Sequence, residues 1–93
     1  MLNRDNFKVG GINYQVKEVE YVEINENKNY LGSCTHSTAT IEILKSLSKD
    51  RKEQVLVHEL VHAILNEAGY DEHDEDLVNR FGIVLHQFIK DNF

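Results

Sequence analysis

The stretch Val57-His58-Glu59-Leu60-Val61-His62-Ala63-Ile64 lies in the second half of the chain. Its apolar residues recur three and four positions apart, which is the spacing of one face of an α-helix. Upstream, Ser48 is a good N-cap; downstream, Gly69 favours a helix end because glycine accepts a positive φ. The pattern therefore predicts a helix from Lys49 to Ala68.

His58, Glu59 and His62 form the pattern H-E-x-x-H within this helix. Side chains four residues apart lie one above the other on a helix, so the two imidazoles can bind one Zn²⁺ ion. Glu59 can then reach a water that the zinc activates, and accept its proton as the general base. The alternative is a metal-free helix whose histidines hydrogen-bond to backbone or water in the core.

A catalytic zinc site needs a third protein ligand, because it usually keeps three of them and one open position. A ligand near the start of a second helix would face the histidine pair. Helical-wheel positions favour Asp74 and Glu75 over Asp76, and they do not separate the first two. The full set of downstream candidates is Glu67, Asp71, Glu72, His73, Asp74, Glu75 and Asp76.

Four other residues carry chemistry that a site can use. We expect His73 to be an exposed loop histidine; the alternatives are that it stabilises an oxyanion, replaces a ligand or orients the third ligand. We expect Tyr70 to pack at the helix C-terminus with its hydroxyl in water, rather than to bind a tetrahedral intermediate. His86 lies too far along the second helix to reach the zinc, and Cys34 is expected to be a small half-buried residue.

The first half of the chain has the alternation of β-strands. Phe7 to Val9 and Ile12 to Val16 flank Gly10-Gly11, which is a hairpin signal. Tyr30 to His36 and Thr40 to Leu44 are further strand candidates. Because neighbouring strands in sequence tend to pair, we expect an antiparallel sheet of three or four strands.

A second apolar periodicity follows the acidic stretch and predicts a second helix. Strands followed by helices indicate an α+β fold, with both helices packed on one face of the sheet. We expect one domain over residues 1–93. The apolar positions of the second helix are Leu77, Val78, Phe81, Val84, Leu85, Phe88 and Ile89.

Composition excludes several classes of function. The net charge of −6, from 10 Lys and Arg against 16 Asp and Glu, argues against a nucleic-acid binder. No apolar run approaches the roughly 18 residues of a membrane span, and the N-terminus lacks the apolar core of a secretory signal. The single cysteine excludes an internal disulfide framework and a cysteine-rich zinc site, and fits a reducing cytoplasm. We therefore expect a cytoplasmic protein without nucleic-acid or membrane partners.

The run from Ser48 to Asn92 resembles the ImmA/IrrE-like zinc metallopeptidases, especially the small stand-alone versions encoded by phages and prophages of Gram-positive bacteria. The matching blocks are residues 57–64 and residues 75–82. The resemblance implies a minimal zincin-like core with gluzincin-type ligation, in which Glu75 is the third zinc ligand. Val78 and Gly82 stand where the family usually has alanine, so the packing of the second helix can differ.

The sequence thus predicts a zinc-dependent metallopeptidase that hydrolyses a peptide bond in a protein or peptide. His58, His62 and Glu75 bind the zinc ion, and Glu59 is the general base. The alternative is a non-catalytic zinc-binding domain, or a phage accessory domain for interaction, that uses the same site structurally. An exposed edge strand beside the first helix would bind an extended peptide, and the sequence does not identify that strand.

Overall fold

A computed structural model describes residues 4–93 and confirms an α+β fold, with a four-stranded sheet followed by two helices. The strand order of the sheet is β1-β2-β6-β5, and β3 and β4 form a separate two-stranded ribbon. The elements in chain order are β1 (Asn6–Val9), β2 (Ile12–Val19), β3 (Val22–Ile24), β4 (Asn27–Tyr30), β5 (Gly32–Thr35), β6 (Thr40–Leu44), α1 (Lys49–Glu67) and α2 (Glu75–Asn92).

The hairpin of β1 and β2 forms at the predicted glycine pair. Gly10 and Gly11 have φ angles of 58° and 85°, the left-handed conformation that two-residue hairpin turns require. The pairing is antiparallel and places Phe7 opposite Tyr14. Tyr14 is fully buried and belongs to the main core, so this hairpin is anchored beneath α1.

The predicted all-antiparallel sheet is wrong at its centre, where β2 and β6 pair in parallel, with Val16 opposite Ile41. The expectation assumed that strands adjacent in sequence pair with each other. Residues 20–39 instead form a long connection that contains the β3–β4 ribbon and β5, and a connection of that length lets β6 return parallel to β2. As a result β6 lies inside the sheet and β5 lies at its edge, next to the site described below.

Helix α1 begins and ends close to the predicted residues. The hydroxyl of Ser48 accepts a hydrogen bond from the backbone N–H of Arg51 at 3.3 Å, and Gly69 follows the helix with a φ of 101°. One face of α1 packs on the sheet and completes the hydrophobic core. That core contains Tyr14, Ile41, Ile43, Val55, Leu56 and Ala63.

Helix α2 packs against α1, and the prediction that both helices lie on the sheet is therefore wrong. A single helix covers a narrower stripe of its neighbour than a sheet does. Val78, Gly82 and His86 are accordingly buried on α2, while four of the residues predicted to be buried are at least half exposed. Neither helix within residues 4–93 has the length and apolarity needed to cross a membrane. The four exposed residues are Leu77, Phe81, Val84 and Phe88.

Candidate metal centre

Two histidines of α1 face the start of α2. The side chains of His58 and His62 are 26% and 15% exposed, so each ring is mostly covered while one edge stays accessible. Their ring centroids are 5.1 Å apart, with an angle of 68° between the planes. This is the one-above-the-other arrangement that the four-residue spacing predicts.

At the start of α2, Asp74 and Glu75 have different roles, so the structure separates the two candidates for the third ligand that helical-wheel positions did not. Asp74 is the N-cap, and its carboxylate accepts hydrogen bonds from the backbone N–H groups of Asp76 and Leu77 at 2.9 and 3.2 Å. Those bonds satisfy two N–H groups of the first helical turn. Glu75, the first residue of the helix, is left with its carboxylate beside the two histidines.

The three side chains converge on one position. The Nε2 atom of His62 lies 3.2 Å from Glu75 Oε1, and Nε2 of His58 lies 3.7 Å from Glu75 Oε2. One ligand atom from each residue lies within 4.8 Å of the other two, and no further residue joins this group in the part of the chain that the structure describes. Ligands of a tetrahedral zinc ion are about 3.4 Å apart for bonds of 2.0–2.1 Å, so the observed spacing fits such an ion.

The chemistry of the three groups also fits a cation. Burial lowers the pKa of His62, and this effect outweighs the opposing effect of the Glu75 carboxylate. His62 therefore favours the neutral form, in which an imidazole nitrogen can bind a metal. Two imidazoles and one carboxylate are a ligand set that occurs in catalytic zinc sites.

Glu59 lies on the sheet side of α1 and is buried, with only 8% of its surface exposed. Gly32, at the start of β5, permits this placement: a Cβ there would lie 3.3 Å from Glu59 Oε2 and would collide with Val55. Burial, with a smaller effect from Glu75, raises the pKa of Glu59 to about 7. A carboxyl group with this pKa can exchange a proton near neutral pH.

A cleft of about 400 Å³ opens over the three converging residues and Glu59. The edge strand β5 forms its other wall. A second cavity of about 530 Å³ continues along α1 past Glu59, with Tyr30 and Leu31 on one side and Ile83 on the other. The site therefore combines polar groups that can bind a metal with an open groove beside an unpaired strand edge.

His73 was predicted to be an exposed loop residue; it lies in the loop between the helices, but the prediction that it is exposed is wrong. It is half-buried, and its Nδ1 atom lies 2.7 Å from Nδ1 of His62. Its Nε2 atom lies 2.9 Å from the carbonyl oxygen of Tyr70, whose side chain is 61% exposed. The alternative that His73 orients the third ligand, Glu75, also disagrees with the structure, because His73 contacts His62 instead. The position of His73 two residues before Glu75 was the only signal in the sequence.

Two other residues behave as expected with respect to the site. His86 lies outside it, but is buried between the helices, where its Nε2 atom is 3.4 Å from Glu53 Oε1. Cys34 is half-buried and lines the cleft without joining the converging group. Burial, with smaller effects of Glu59 and Glu67, raises the pKa of the Cys34 thiol to about 12, so it stays protonated at neutral pH.

The sequence model of one peptidase family matches the chain. That family is described as the IrrE N-terminal-like domain, and the match covers residues 18–84, which is well over half of the chain. The matched residues include His58, Glu59, His62 and Glu75. Comparison with curated proteins and with solved structures gave no match.

Proposed function

Because this chain belongs to the IrrE N-terminal-like peptidase family, we propose that it is a zinc-dependent metallopeptidase that hydrolyses a peptide bond in a protein or peptide. The observation that carries the proposal is the convergence of His58, His62 and Glu75 beside the buried Glu59. The first three residues would hold the zinc ion, and Glu59 would be the general base.

An open coordination position supports catalysis over a purely structural metal. Structural zinc sites are usually closed by four protein ligands. Among residues 4–93 only three side chains converge. Two residues that directly precede Glu75 have other contacts, since Asp74 caps α2 and His73 contacts His62. A buried carboxylate beside the ligands also has no function in a structural site.

Zinc, when bound, would supply a positive charge that polarises the substrate carbonyl and lowers the pKa of a water molecule. The Glu59 carboxylate would accept the proton of the attacking water on an Oε atom. The same oxygen would later donate that proton to the nitrogen of the leaving amine, so that Glu59 ends the cycle ionised. Burial of Glu59 beneath β5 keeps the carboxylate in place, because Gly32 lies against it.

The edge position of β5 supports an extended peptide as the substrate. Residues Gly32–Thr35 pair with β6 on one side only. The other side lies along the cleft that contains the ligand residues, so a peptide that adds a strand there would bring a peptide bond to the metal position. We place this activity in the cytoplasm, since the free thiol of Cys34 suits a reducing compartment. For a phage-encoded chain that would be the cytoplasm of the host cell.

The test compares zinc content and peptide hydrolysis in wild type and Glu59→Gln, both purified without a histidine tag. We expect one equivalent of zinc in each protein by elemental analysis. Hydrolysis of an unstructured peptide library, followed by mass spectrometry, should fall by about 10²–10⁴-fold in the variant, which cannot exchange the proton. Glu23→Gln, the same change at an exposed position on β3, should keep wild-type activity.

Each alternative predicts a different result. Wild type that binds stoichiometric zinc but cleaves nothing would favour a structural zinc domain. Wild type that binds no zinc would favour a metal-free interaction domain and overturn the proposal. An unchanged rate of hydrolysis in Glu59→Gln would remove the assignment of the base while leaving the metal site intact.

A further inference from the structure

A row of polar atoms leads from the end of α1 to the metal centre. The carbonyl oxygen of Tyr70 lies 2.9 Å from Nε2 of His73. Nδ1 of His73 lies 2.7 Å from Nδ1 of His62. The far side of the His62 ring presents Nε2 to Glu75 at 3.2 Å. Both nitrogens of both rings are therefore engaged, and the peptidase mechanism given above uses only one of the four.

The contact between His62 and His73 has the geometry of a hydrogen bond. The ring planes are 21° apart and the centroids are separated by 5.0 Å. Stacked rings would keep their atoms at a van der Waals separation of about 3.5 Å or more, whereas these two nitrogens are 2.7 Å apart. Nearly coplanar rings with such a short contact meet edge to edge, so one N–H points at the lone pair of the other nitrogen.

The protons of the two rings can be placed from one fixed point. A backbone carbonyl only accepts, so Nε2 of His73 must donate its proton to Tyr70. When the His73 ring carries a single proton, that proton is the one on Nε2, which leaves Nδ1 of His73 as an acceptor. Nδ1 of His62 must then be the donor, and Nε2 of His62 keeps its lone pair on the side where Glu75 and His58 converge.

We propose that His73 is a positioning residue that fixes the tautomer and the ring orientation of His62 for binding zinc through Nε2. The proposal rests on the assignment of His62 as a zinc ligand. Ligand histidines in metalloproteins commonly donate their second N–H to an acceptor that holds the ring. Here that acceptor is an imidazole, which is in turn held by the backbone of the preceding helix end.

The loop that carries His73 ties the two halves of the site together. Tyr70 is itself fixed, because its backbone N–H donates to the carbonyl of Leu65 at 2.9 Å. At the other end of the loop, Asp74 caps α2 and is followed directly by Glu75. One short segment, residues 70–75, thereby supplies the acceptor for one ligand and the side chain of another. The orientation of His62 and the position of Glu75 are set together.

Zinc affinity tests the proposal through three variants of one loop. His73→Ala removes the acceptor, and we expect the Kd for Zn²⁺, measured by competition with a chelating dye, to rise about 10–100-fold. His73→Asn can place a carbonyl oxygen near the position of Nδ1 and should recover most of this loss. Glu72→Gln, an exposed neighbour, should bind like wild type. Equal affinities in wild type and His73→Ala would overturn the proposal.

Nuclear magnetic resonance supplies a readout that a merely structural role of His73 would not affect. In ¹⁵N-labelled, zinc-loaded protein we expect a scalar coupling across the hydrogen bond between Nδ1 of His62 and Nδ1 of His73, with the proton on His62. A proton on Nδ1 of His73, or no coupling, would overturn the proposal. Wild type that binds no zinc would overturn the proposed function as well, so the two failures can be told apart.

Discussion

Helices α1 and α2 meet through histidine and carboxylate side chains at two places. At the metal centre, His58 and His62 of α1 face Glu75 of α2, and the glutamate side chain is 65% exposed. Towards the other end of the helix pair, His86 of α2 faces Glu53 of α1, with side chains only 9% and 20% exposed. The same two residue types thus form an open cluster and a closed pair.

The number of groups that converge explains the difference. His86 and Glu53 are one imidazole and one carboxylate, so a single N–H on Nε2 satisfies both. At the metal centre two imidazole nitrogens and a carboxylate meet, and the proton assignment for His62 leaves no N–H on its converging side. With His62 offering only a lone pair, the cluster has more acceptors than N–H donors and can be completed by a cation, whereas the closed pair needs none. The pair joins the two helices, whereas the cluster is a candidate site for a cation.

Removal of zinc should cause the largest loss of stability. Only proteins in which the open cluster is intact should show this loss. With free Zn²⁺ at about 1,000 times its Kd, bound metal adds about 4 kcal/mol to the free energy of unfolding. We expect zinc to raise the midpoint of urea unfolding of wild type, and to leave that of His62→Ala unchanged. A variant of the closed pair should keep the response to zinc. A response of His62→Ala equal to that of wild type would contradict the assignment of His62 as a ligand.

High pH should break another buried contact, in which the Tyr14 hydroxyl donates a hydrogen bond to Glu67 at 2.7 Å. Burial first, and the hydrogen bond to Glu67 second, raise the pKa of Tyr14 to about 12 from 10.0. The folded state thus keeps a proton that the unfolded chain loses, so this contribution is complete below pH 10 and is lost as pH rises to 12. The loss amounts to about 3 kcal/mol.

Urea unfolding of wild type and Tyr14→Phe between pH 8 and pH 12 measures this effect. The stability of wild type should fall more steeply above pH 10 than that of the variant, because only wild type has the Tyr14 hydroxyl. The other groups that titrate are present in both proteins and cancel in the comparison. Parallel loss of stability in the two proteins would mean that Tyr14 does not hold its proton. Zinc content at pH 8 should be the same in both, since this pair lies outside the metal centre.

The closed pair between the helices should show the next smaller effect. His86→Ala leaves the mostly covered Glu53 carboxylate without its partner, which we expect to cost about 2 kcal/mol in urea unfolding. His86→Leu combined with Glu53→Leu removes both polar groups and should recover much of that loss. Zinc stoichiometry should stay at one in all of these proteins. Loss of zinc in His86→Ala would show that the two contacts depend on each other.

Much of the site could be predicted from the sequence, because its residues are close together along one helix. The spacing of His58 and His62 fixes their relation on α1 whatever surrounds them. The choice between Asp74 and Glu75 required a residue-by-residue resemblance, since both lie near the start of α2. The contact of His73 could not be predicted, because it depends on the path of the loop rather than on helical periodicity.

The fold was predicted least well where pairing is non-local. Alternation identifies β2 and β6 as strands, but their parallel pairing depends on the long connection between them. Periodicity also placed Leu77 and Phe81 on the buried stripe of α2, and both are more than half exposed. A hydrophobic pattern shows that a helix is amphipathic, and it does not show how much of the apolar side a neighbour covers. The partner of α2 is a single helix.

A glycine between the two contacts provides the test with the smallest effect. Gly82 lies on the buried side of α2 against the backbone of His58, where an added Cβ would be 3.7 Å from His58 Cα, an ordinary van der Waals distance. Gly82→Ala should therefore stabilise the protein by about 0.5–1 kcal/mol in urea unfolding, because alanine is the better helix former. Gly32→Ala is the matched contrast, since its Cβ would collide with Val55 and press on Glu59, and it should destabilise. Loss of zinc or stability in Gly82→Ala would mean that the helices need the closer approach of glycine to bring Glu75 to the histidines.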